Sequence, residues 1–389
     1  MEVYALDSLL RREAVIDTFE SLVWTERFQA AGDFQLVIKA NRENREILKA
    51  GTRLVMNESY RVMTVETVED DTTAEGLAVL TVKGPSLETT LKNRVAKETM
   101  ASTDPWLLEG VPAWIARKIF HDICVTGTLN VKDIIPGVVE SSFMPPSTMP
   151  EPVDPLVVPL PPSNVYDSIK ALCEVWNLGF RLILNHDTGQ LHWDVYSGSD
   201  RSGMQDDYTP VVFAEALDNL QNVKRFHSIE GSKNVAYVFS PAGYLEVYAD
   251  NVPPDTAGFD RRVLLVDAND ITLDYGTAEE IEAALMQRGR EELAQYRTVE
   301  AFDGEINPNS QYKYQRDYYL GDVVEMRGKD GVVNLMRVTE QIFTSDRDGD
   351  KAYPTLALNL FVNTGSWLME DDTEWIDYDS DPITWSEKP

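Results

Sequence analysis

The sequence predicts a mainly β protein with α+β inserts in the middle of the chain. Short runs that suit strands occur near both ends, helical patterns occupy the middle, and one long amphipathic helix lies in the last third. At 389 residues the chain is too long for one ordinary hydrophobic core, so we expect two or three domains. Its 43% hydrophobic and 10% aromatic residues are enough to build them.

Residues 1–97 are predicted to form a first β-rich unit. Strand-like runs at 17–24 and 33–38 are separated by a segment of turn composition that includes Gly32 and Asp33. We therefore expect Gly32 and Asp33 to mark a structural turn between two strands.

The same unit contains a predicted helix and a predicted hairpin. The helix runs over 41–50, with Asn41 as its cap and Gly51 at its end. Two alternating runs, 60–69 and 77–83, lie on either side of a polar segment at 70–73. This pattern predicts a hairpin with one buried face.

Residues 98–231 are predicted to form an intermediate α/β region. Asp104 as cap and Pro105 in the first turn predict a helix that continues to Phe120. Residues 141–164 hold eight of the 20 prolines, which favours an extended arm. The arm is interpreted either as a flexible spacer or as an ordered arm that packs on a neighbouring subunit.

The region after the arm is predicted to hold a helix and a hairpin. Ser163 or Asn164 begins a helical pattern that continues through Trp176 and ends near Gly179. Residues 180–184 and 191–195 then form a predicted hairpin.

Residues 232–365 are predicted to form a second β-rich unit around a long helix at 277–297. Thr277 and Glu280 have the spacing of a capping box, and Gly289 in the helix interior indicates close packing there. The predicted strands of this unit are 234–239, 244–248, 299–306, 322–327, 332–344 and 354–361.

Residues 366–389 form an acidic C-terminal tail with eight acidic residues, one lysine and three tryptophans. Such dense charge is difficult to bury, yet Trp367, Trp375 and Trp385 are apolar enough to bind a surface. The tail is interpreted either as a segment that docks on a partner or as a disordered segment.

The net charge of −30 bears on the partners of this protein. A surface that clamps a phosphate backbone needs basic patches, so specific nucleic-acid binding is not expected. A negative wall would instead allow DNA to pass without sticking, although the charge is equally explained by solubility alone. No apolar run is long enough to span a membrane, and no secretion signal is expected at the N-terminus. We expect the protein to be made in a cytoplasm.

The sequence predicts no catalytic, cofactor-binding or metal-binding residues. Phosphate-binding glycine loops, nucleophile elbows and zinc motifs do not occur. Cys124 and Cys173 are predicted to be buried free thiols. The acidic segment 346–350 lacks the glycine and the final glutamate of a calcium loop, so we interpret it as a polar hairpin turn.

Tyrosines surround a Leu320-Gly321-Asp322 corner, which raises two interpretations. Exposed aromatic residues such as Tyr318, Tyr319 and Trp193 would suit a carbohydrate platform, but strand aromatics are more often core or interface residues. We favour a structural corner, in which Gly321 adopts a positive φ and Asp322 accepts hydrogen bonds from nearby backbone amides. Gly328 and Gly331 are expected to flank a tight hairpin turn.

Several short motifs, in their order along the chain, resemble the minor tail proteins, or tail-hub proteins, of long-tailed non-contractile phages, particularly those of actinobacterial hosts. The resemblance is best over about 15–97 and 232–362. The motifs that carry it are WTERFQAAGDFQLVI (24–38), LKAGT (48–52), VKGPSL (82–87), LKNR (91–94), the Asn234-Val235 pair, DYYLGDVV (317–324) and RVTE (337–340).

The resemblance implies a baseplate-hub architecture with two small tail-tube-like β-barrels per chain and intermediate α/β domains on the outside. It implies a homotrimer at the tail tip of the virion, whose six barrels continue the tail tube. The expected partners are the distal tail protein, the C-terminal end of the tape-measure protein, and tip or fibre proteins, with DNA passing through the channel. The proline arm and the acidic tail have no counterpart in this pattern.

The expected function is therefore a structural virion protein without enzymatic activity. A second interpretation is a tail-tip protein that binds carbohydrate or hydrolyses the cell wall, as some hub proteins do. The chain shows no separate hydrolase domain, which disfavours the second interpretation.

Overall fold

In the computed structural model the protein is described over residues 1–72, 78–102, 104–139, 156–249, 252–306, 311–327 and 333–358. The predicted acidic tail, residues 141–155 of the proline arm, and the predicted turn residues Gly328 and Gly331 lie outside the described residues.

The described residues form four α-helices and 24 strands. The helices are α1 (Arg42–Ile47), α2 (Pro112–Phe120), α3 (Val165–Val175) and α4 (Ala278–Ala294). The strands before α3 are β1 (Val3–Leu6), β2 (Arg12–Ile16), β3 (Ser21–Arg27), β4 (Asp33–Lys39), β5 (Arg53–Met56), β6 (Met63–Thr64), β7 (Thr67–Thr72), β8 (Ala78–Pro85), β9 (Val95–Ala96), β10 (Trp106–Gly110), β11 (Val138–Val139), β12 (Leu156–Leu160) and β13 (Ser163–Asn164). The later strands are β14 (Gly179–Asn185), β15 (Gln190–Tyr196), β16 (Val212–Ala214), β17 (Leu220–Ser228), β18 (Val235–Ser240), β19 (Gly243–Tyr248), β20 (Val263–Asp267), β21 (Val299–Ile306), β22 (Val323–Arg327), β23 (Val333–Asp346) and β24 (Gly349–Leu358).

The largest sheet joins the two ends of the described chain. Its strand order is β17-β21-β24-β23-β3-β4-β8-β7, and β22 and β16 extend it from β23. The seam between the two ends is the antiparallel pair β3 and β23, whose register runs from Arg27 opposite Glu340 to Leu22 opposite Ser345. Strands of both predicted β-rich units therefore lie in one continuous sheet.

The first unit encloses a core between this sheet and a second one of order β2-β1-β5-β6. The fully buried Trp24 packs against Phe34 with ring centroids 5.8 Å apart. A single bridge between Met63 and Ser86 connects β6 to the residue after β8. The cap of α1 is as predicted, because the Asn41 side chain accepts a hydrogen bond from the backbone N of Asn44.

The two closed barrels that the resemblance implies are not seen among the described strands, whose pairings form open sheets. The reason lies at the two sides of the first unit. On one side β3 pairs with β23, on the other β7 is an edge strand, and all six of its residues are exposed. The predicted hairpin of β7 and β8 is confirmed, but β7 extends through the expected turn to Thr72, and only β8 has a buried face.

The predicted helix start at Asp104 is wrong, because the chain forms strand β10 before α2 begins at Pro112. Trp106 and Leu108 are buried, whereas Leu107 is exposed, so the alternation has the period of a strand. Strand β12 pairs with β10 over its whole length. The last part of the predicted proline arm, from Leu156 onward, is therefore ordered by pairing within its own chain.

The middle region packs α2 and α3 against the β14–β15 hairpin. The hairpin is confirmed, with Gly179 opposite Tyr196. Of the two predicted helix starts the structure uses Asn164, whose side chain caps α3 by accepting a hydrogen bond from Asp167 N. The rings of Phe120 on α2 and Trp193 on β15 stack with centroids 4.2 Å apart. These contacts belong to a second core, which the middle region shares with first-unit residues such as Val55, Val62 and Leu87.

Residues 235–294 form a two-layer arrangement in which α4 covers one face of the sheet β19-β18-β20. The predicted capping box is confirmed, since Thr277 and Glu280 make both of its hydrogen bonds. Gly289 is in close contact as expected, because a Cβ atom there would lie 2.6 Å from Cγ2 of Val247. Helix α4 also contacts α3 and β12, which attaches this layer to the middle region.

None of the described helices has both the length and the apolar character that crossing a membrane requires.

Candidate functional site

A buried charged cluster lies where the first unit, the middle region and the segment that contains Tyr314 meet. Its central pair is Arg61, 3% exposed, and Glu88, 0% exposed, whose side chains form an ion pair. Glu88 also accepts a hydrogen bond from Leu182 N on β14 at 2.9 Å. The Arg61 guanidinium donates to the backbone O of Arg27 at 3.2 Å. The pair thus links the first unit to the middle region through atoms that water does not reach.

Glu26 on β3 extends the cluster toward the C-terminal part of the chain. Its carboxylate accepts a hydrogen bond from the Ser59 hydroxyl and another, 2.7 Å long, from the Tyr314 hydroxyl. Trp24 Nε1 donates in turn to Ser59 Oγ at 3.2 Å. Burial raises the pKa of Glu26 above its ordinary value, against the opposing effect of the Arg61 charge and these hydrogen bonds.

A second charged group fixes the middle region. Asp194 on β15 forms ion pairs with two arginines, with Arg181 Nη2 at 2.7 Å and with Arg117 Nη2 at 3.3 Å. Burial alone would raise the pKa of Asp194, but these two arginines hold it below its ordinary value. The Arg181 guanidinium also lies over the Tyr196 ring, 4.2 Å from its centroid. Helix α2 and the β14–β15 hairpin are thereby joined by charge as well as by packing.

The Leu320-Gly321-Asp322 corner holds the segment after β15 against the start of β22. Gly321 has a φ of +92°, and Asp322 accepts hydrogen bonds from Ser199 N at 2.8 Å and from Tyr319 N at 2.9 Å. Arg201 Nε reaches the same carboxylate at 2.5 Å. Burial nevertheless raises the pKa of Asp322. The buried carboxylate is fully engaged in holding the backbone.

Close backbone contact explains the glycines of this corner. A Cβ atom at Gly321 would lie 2.5 Å from Cε2 of Phe28, and one at Gly198 would lie 2.2 Å from the carbonyl carbon of Gly321. The Arg337 guanidinium lies above the Phe28 ring, 5.5 Å from its centroid, and donates to Ser197 O at 2.7 Å. Phe28 therefore forms the common contact of the two segments.

Gly32 and Asp33 lie where β4 begins. Gly32 N donates to Ser86 Oγ at 2.8 Å, and a Cβ atom at Gly32 would lie 2.2 Å from Thr25 O. Asp33 forms an ion pair of 2.6 Å with Arg27, which also binds Glu340 on β23 at 2.7 Å. Arg27 thus connects this turn to the seam between β3 and β23.

The remaining candidate residues have structural surroundings. Cys124 and Cys173 are buried free thiols, as predicted, and burial raises the pKa of Cys124 to about 12. The acidic segment forms the β23–β24 hairpin turn, as predicted, with Asp346 opposite Gly349. Among the residues that the structure describes, no group of His, Cys, Asp or Glu side chains is arranged to hold a metal ion.

The carbohydrate platform suggested by Tyr318, Tyr319 and Trp193 does not form. Tyr318 is 1% exposed and Trp193 is 6% exposed, so neither ring face is available to a ligand. Tyr318 packs edge-on against Phe213, and its hydroxyl donates to Gln341 Oε1 at 3.1 Å. Only Tyr319 retains 37% exposure. The preference for core aromatics is confirmed for two of the three residues.

The charged cluster was not identified from the sequence, although a weak signal exists. Arg61 is followed by Val62 and Met63, and Glu88 follows Leu87 in a segment of buried residues. A charged residue inside an apolar run is a candidate for a buried pair, but nothing in the sequence indicates which base meets which acid across 27 positions.

Comparison with solved structures identifies the fold. The tail protein from Neisseria meningitidis MC58 is similar over 92% of this chain and 96% of its own, with 13% identity and a TM-score of 0.55. The 43 kDa tail protein of prophage MuSo2 from Shewanella oneidensis is similar over 92% of this chain and 98% of its own, with 13% identity and a TM-score of 0.53. At this identity the likeness concerns the fold.

No curated protein sequence matches the chain significantly. The family model described as Siphovirus ReqiPepy6 Gp37-like protein matches residues 1–356. This match covers the first unit, the middle region and nearly all of the last β-rich region, and it agrees with the phage-tail fold. The chain therefore belongs to the Siphovirus ReqiPepy6 Gp37-like protein family.

Proposed function

We propose that this protein is a structural component of the phage tail, a hub at the tail tip that forms a ring and continues the tail tube. The observation that carries the proposal is the likeness to two phage tail proteins over more than nine tenths of every chain compared. A fold kept over the whole length favours a role that depends on the whole molecule rather than on one pocket.

The continuous sheet is suited to such a role. Strands of both β-rich units lie in one sheet, so two wall segments are held in a fixed relation within a single chain. The buried ion pair of Arg61 and Glu88 fixes the middle region on the same framework. Three copies would supply six wall segments, and the middle region would lie outside the ring. The strands of the two β-rich units would then line the tube as parts of one open sheet rather than as two closed barrels.

The edge strand β7 is suited to a surface that faces DNA. All six residues of β7 are exposed, and they include Glu69, Asp70 and Asp71. Exposed charged residues on an edge strand oppose strand addition. Lys83 and Arg45 pair with Glu69 and Asp70, and Asp71 leaves an excess negative charge that repels phosphate. We place this edge on the channel side, where DNA passes without binding.

The distal tail protein, the C-terminal end of the tape-measure protein, and tip or fibre proteins are the proposed partners. They would contact the two open ends and the outer surface of the ring.

Sedimentation velocity of the purified chain tests the ring. A trimer is the expected species, because β17, the edge strand at the other end of the large sheet, is open in one copy and would be covered in a closed ring. A chain that stays monomeric at high concentration would count against the proposal.

We propose that the protein has no enzymatic activity, and an assay independent of the sedimentation experiment tests this. The purified chain is incubated with host cell wall, and released sugar or peptide is measured. No release is expected. Release that disappears when a single carboxylate is changed to its amide would establish a hydrolase instead.

A further inference from the structure

The open face of the β19-β18-β20 sheet carries aromatic side chains that the fold does not use. Helix α4 covers the other face, which holds Ala236, Val238, Val247 and Val266. On the open face Phe239 is 48% exposed and Tyr244 is 73% exposed. An exposed aromatic pair on a sheet face is more than packing requires, and such patches mark recognition sites.

The two aromatic rings form one continuous surface. Phe239 and Tyr244 are directly opposite each other across β18 and β19, and their rings stack with centroids 6.0 Å apart and an interplanar angle of 28°. Because each ring supports the other, the stacked pair can offer its outer ring surface without having to reorganise on binding.

Polar groups beside the rings are already held in place. In the next row, Tyr237 lies opposite Glu246, and Arg261 binds both: it forms an ion pair with Glu246 and donates to the Tyr237 hydroxyl at 3.1 Å. The Tyr248 hydroxyl also donates to Glu246 at 2.5 Å. These groups offer hydrogen bonds in fixed directions, while their charges largely cancel.

A second acid ends the aromatic row. Asp267 lies beside Phe239 on β20, and its carboxylate accepts hydrogen bonds from the backbone N and the side-chain amide of Asn269 at 3.1 and 2.8 Å. The stacked aromatic pair therefore has fixed polar groups on two sides, all on one face of the sheet.

The chemistry of the patch favours a small polyhydroxylated ligand. Together with Leu265, 74% exposed, the two rings offer apolar surface on the order of 400 Å². Glu246, Arg261 and Asp267 border this apolar surface with hydrogen-bonding groups. An apolar stacking surface with such a polar border suits a few sugar rings.

We propose that this face binds a neutral saccharide. A pyranose has an apolar face of C–H groups, which is attracted to the negative face of an aromatic ring, and hydroxyls around its rim. The C–H faces would stack on Phe239 and Tyr244, and the hydroxyls would hydrogen-bond to the carboxylates of Glu246 and Asp267. An anionic ligand is disfavoured because Arg261 is already paired with Glu246, and Asp267 adds a further negative charge to the face. This proposal does not depend on the oligomeric state of the protein.

Affinity electrophoresis of the full chain tests the proposal. Native gels containing a neutral galactan, mannan, glucan or arabinan are compared with gels containing no polysaccharide and with gels containing the anionic polygalacturonate. Retardation by at least one neutral polysaccharide is expected. No retardation by any of them, or retardation by polygalacturonate alone, would overturn the proposal.

Variants locate the binding on this face. Tyr244→Ala and Phe239→Ala are expected to weaken binding about tenfold, as the loss of one stacking contact predicts. Tyr244→Phe, which keeps the ring, should bind like the wild type, as should Met204→Ala, a change at a side chain that is 73% exposed elsewhere. Thermal melts confirm that each variant folds. Binding that is unchanged in both alanine variants would refute the assignment to this face. Loss of tail incorporation in those variants without any saccharide binding would show a protein interface instead.

Discussion

At the scale of residues, the cluster around Arg61 illustrates why buried charge occurs in this chain. Taking an ion pair out of water costs about as much as the pair returns, so it adds little net stability. Its effect is on specificity, because Glu88 Oε1 gains both of its hydrogen bonds only when Leu182 N and Arg61 reach it. The pair therefore favours one placement of the middle region on the first unit.

Removing one partner of the Arg61–Glu88 pair should lower the free energy of unfolding. Glu88→Ala leaves the Arg61 charge buried without its acid, and we expect a loss of about 3–5 kcal/mol in the free energy of unfolding. Urea denaturation measures it. The exposed pair Arg42 and Glu46 is the control, since Glu46→Ala should cost no more than about 0.5 kcal/mol.

A double variant separates charge from packing. Arg61→Met combined with Glu88→Leu removes both charges and fills the space with apolar side chains, so it should be more stable than Glu88→Ala alone. A double variant that is as unstable as Glu88→Ala would show that the unpaired Arg61 charge does not cause the loss in the free energy of unfolding.

Glu26 gives a prediction about pH. Its pKa in the folded protein lies above the ordinary value of 4.5, so between these values the folded state holds the proton more tightly than the unfolded state. Its contribution to stability is therefore fully present below pH 4.5 and is lost as the pH rises through the folded-state pKa. Glu26→Gln removes this dependence, so the stability of the variant relative to wild type should increase between pH 4.5 and pH 8. Urea midpoints at both pH values test this, with Glu46→Gln as control. An equal difference at both values would contradict it.

At the scale of elements, the sequence predicted the helix starts that depend only on neighbouring residues. The caps Asn41, Asn164 and Thr277 lie at the starts of α1, α3 and α4 as expected, because a cap depends only on residues within one turn. The predicted helix start at Asp104 was wrong because that prediction, too, considered only neighbouring residues. An acidic cap and a proline suited a helix locally, but pairing with β12, about 50 residues away, made Trp106–Gly110 a strand.

Gly289 tests how tightly α4 packs on its sheet. Alanine would favour the helix by about 1 kcal/mol, but its Cβ would lie 2.6 Å from Cγ2 of Val247, a stiff side chain on β19. Overpacking costs about 1–3 kcal/mol, so Gly289→Ala should destabilise this layer. Faster hydrogen exchange at α4 amides measures the effect.

The matched variant is Gly289→Ala with Val247→Ala, which removes the contact. Protection of α4 should return in part, since the second change restores the space but leaves a smaller core. A single Gly289→Ala variant that is more protected than wild type would show that the helix and the sheet are not in tight contact.

At the scale of the whole molecule, the decisive feature is a long-range pairing. Strands β3 and β23 meet across more than 300 positions of sequence, and no local pattern specifies that contact. The strands themselves were predictable from alternation, whereas their order in one sheet was not. Likewise the corner at Gly321 was visible in the sequence, but its contacts with Phe28 and Ser199 depend on the assembled fold.

The assembled fold explains how a chain without recognisable catalytic motifs can have a defined role. In the proposed role, the sheet that spans both ends, the buried charges that fix the middle region, and the acidic edge would together form a rigid wall element. In this interpretation the function lies in the surfaces that neighbouring copies and tail proteins cover.

Electron microscopy of labelled virions tests this role most directly. Antibodies against the full chain, visualised with gold, are bound to intact phage particles of the strain that encodes it, and particles of an unrelated phage serve as control. A hub predicts label at the tail tip alone, consistent with three copies per virion. Label along the tail shaft or on the capsid, or virions that lack the protein, would contradict it.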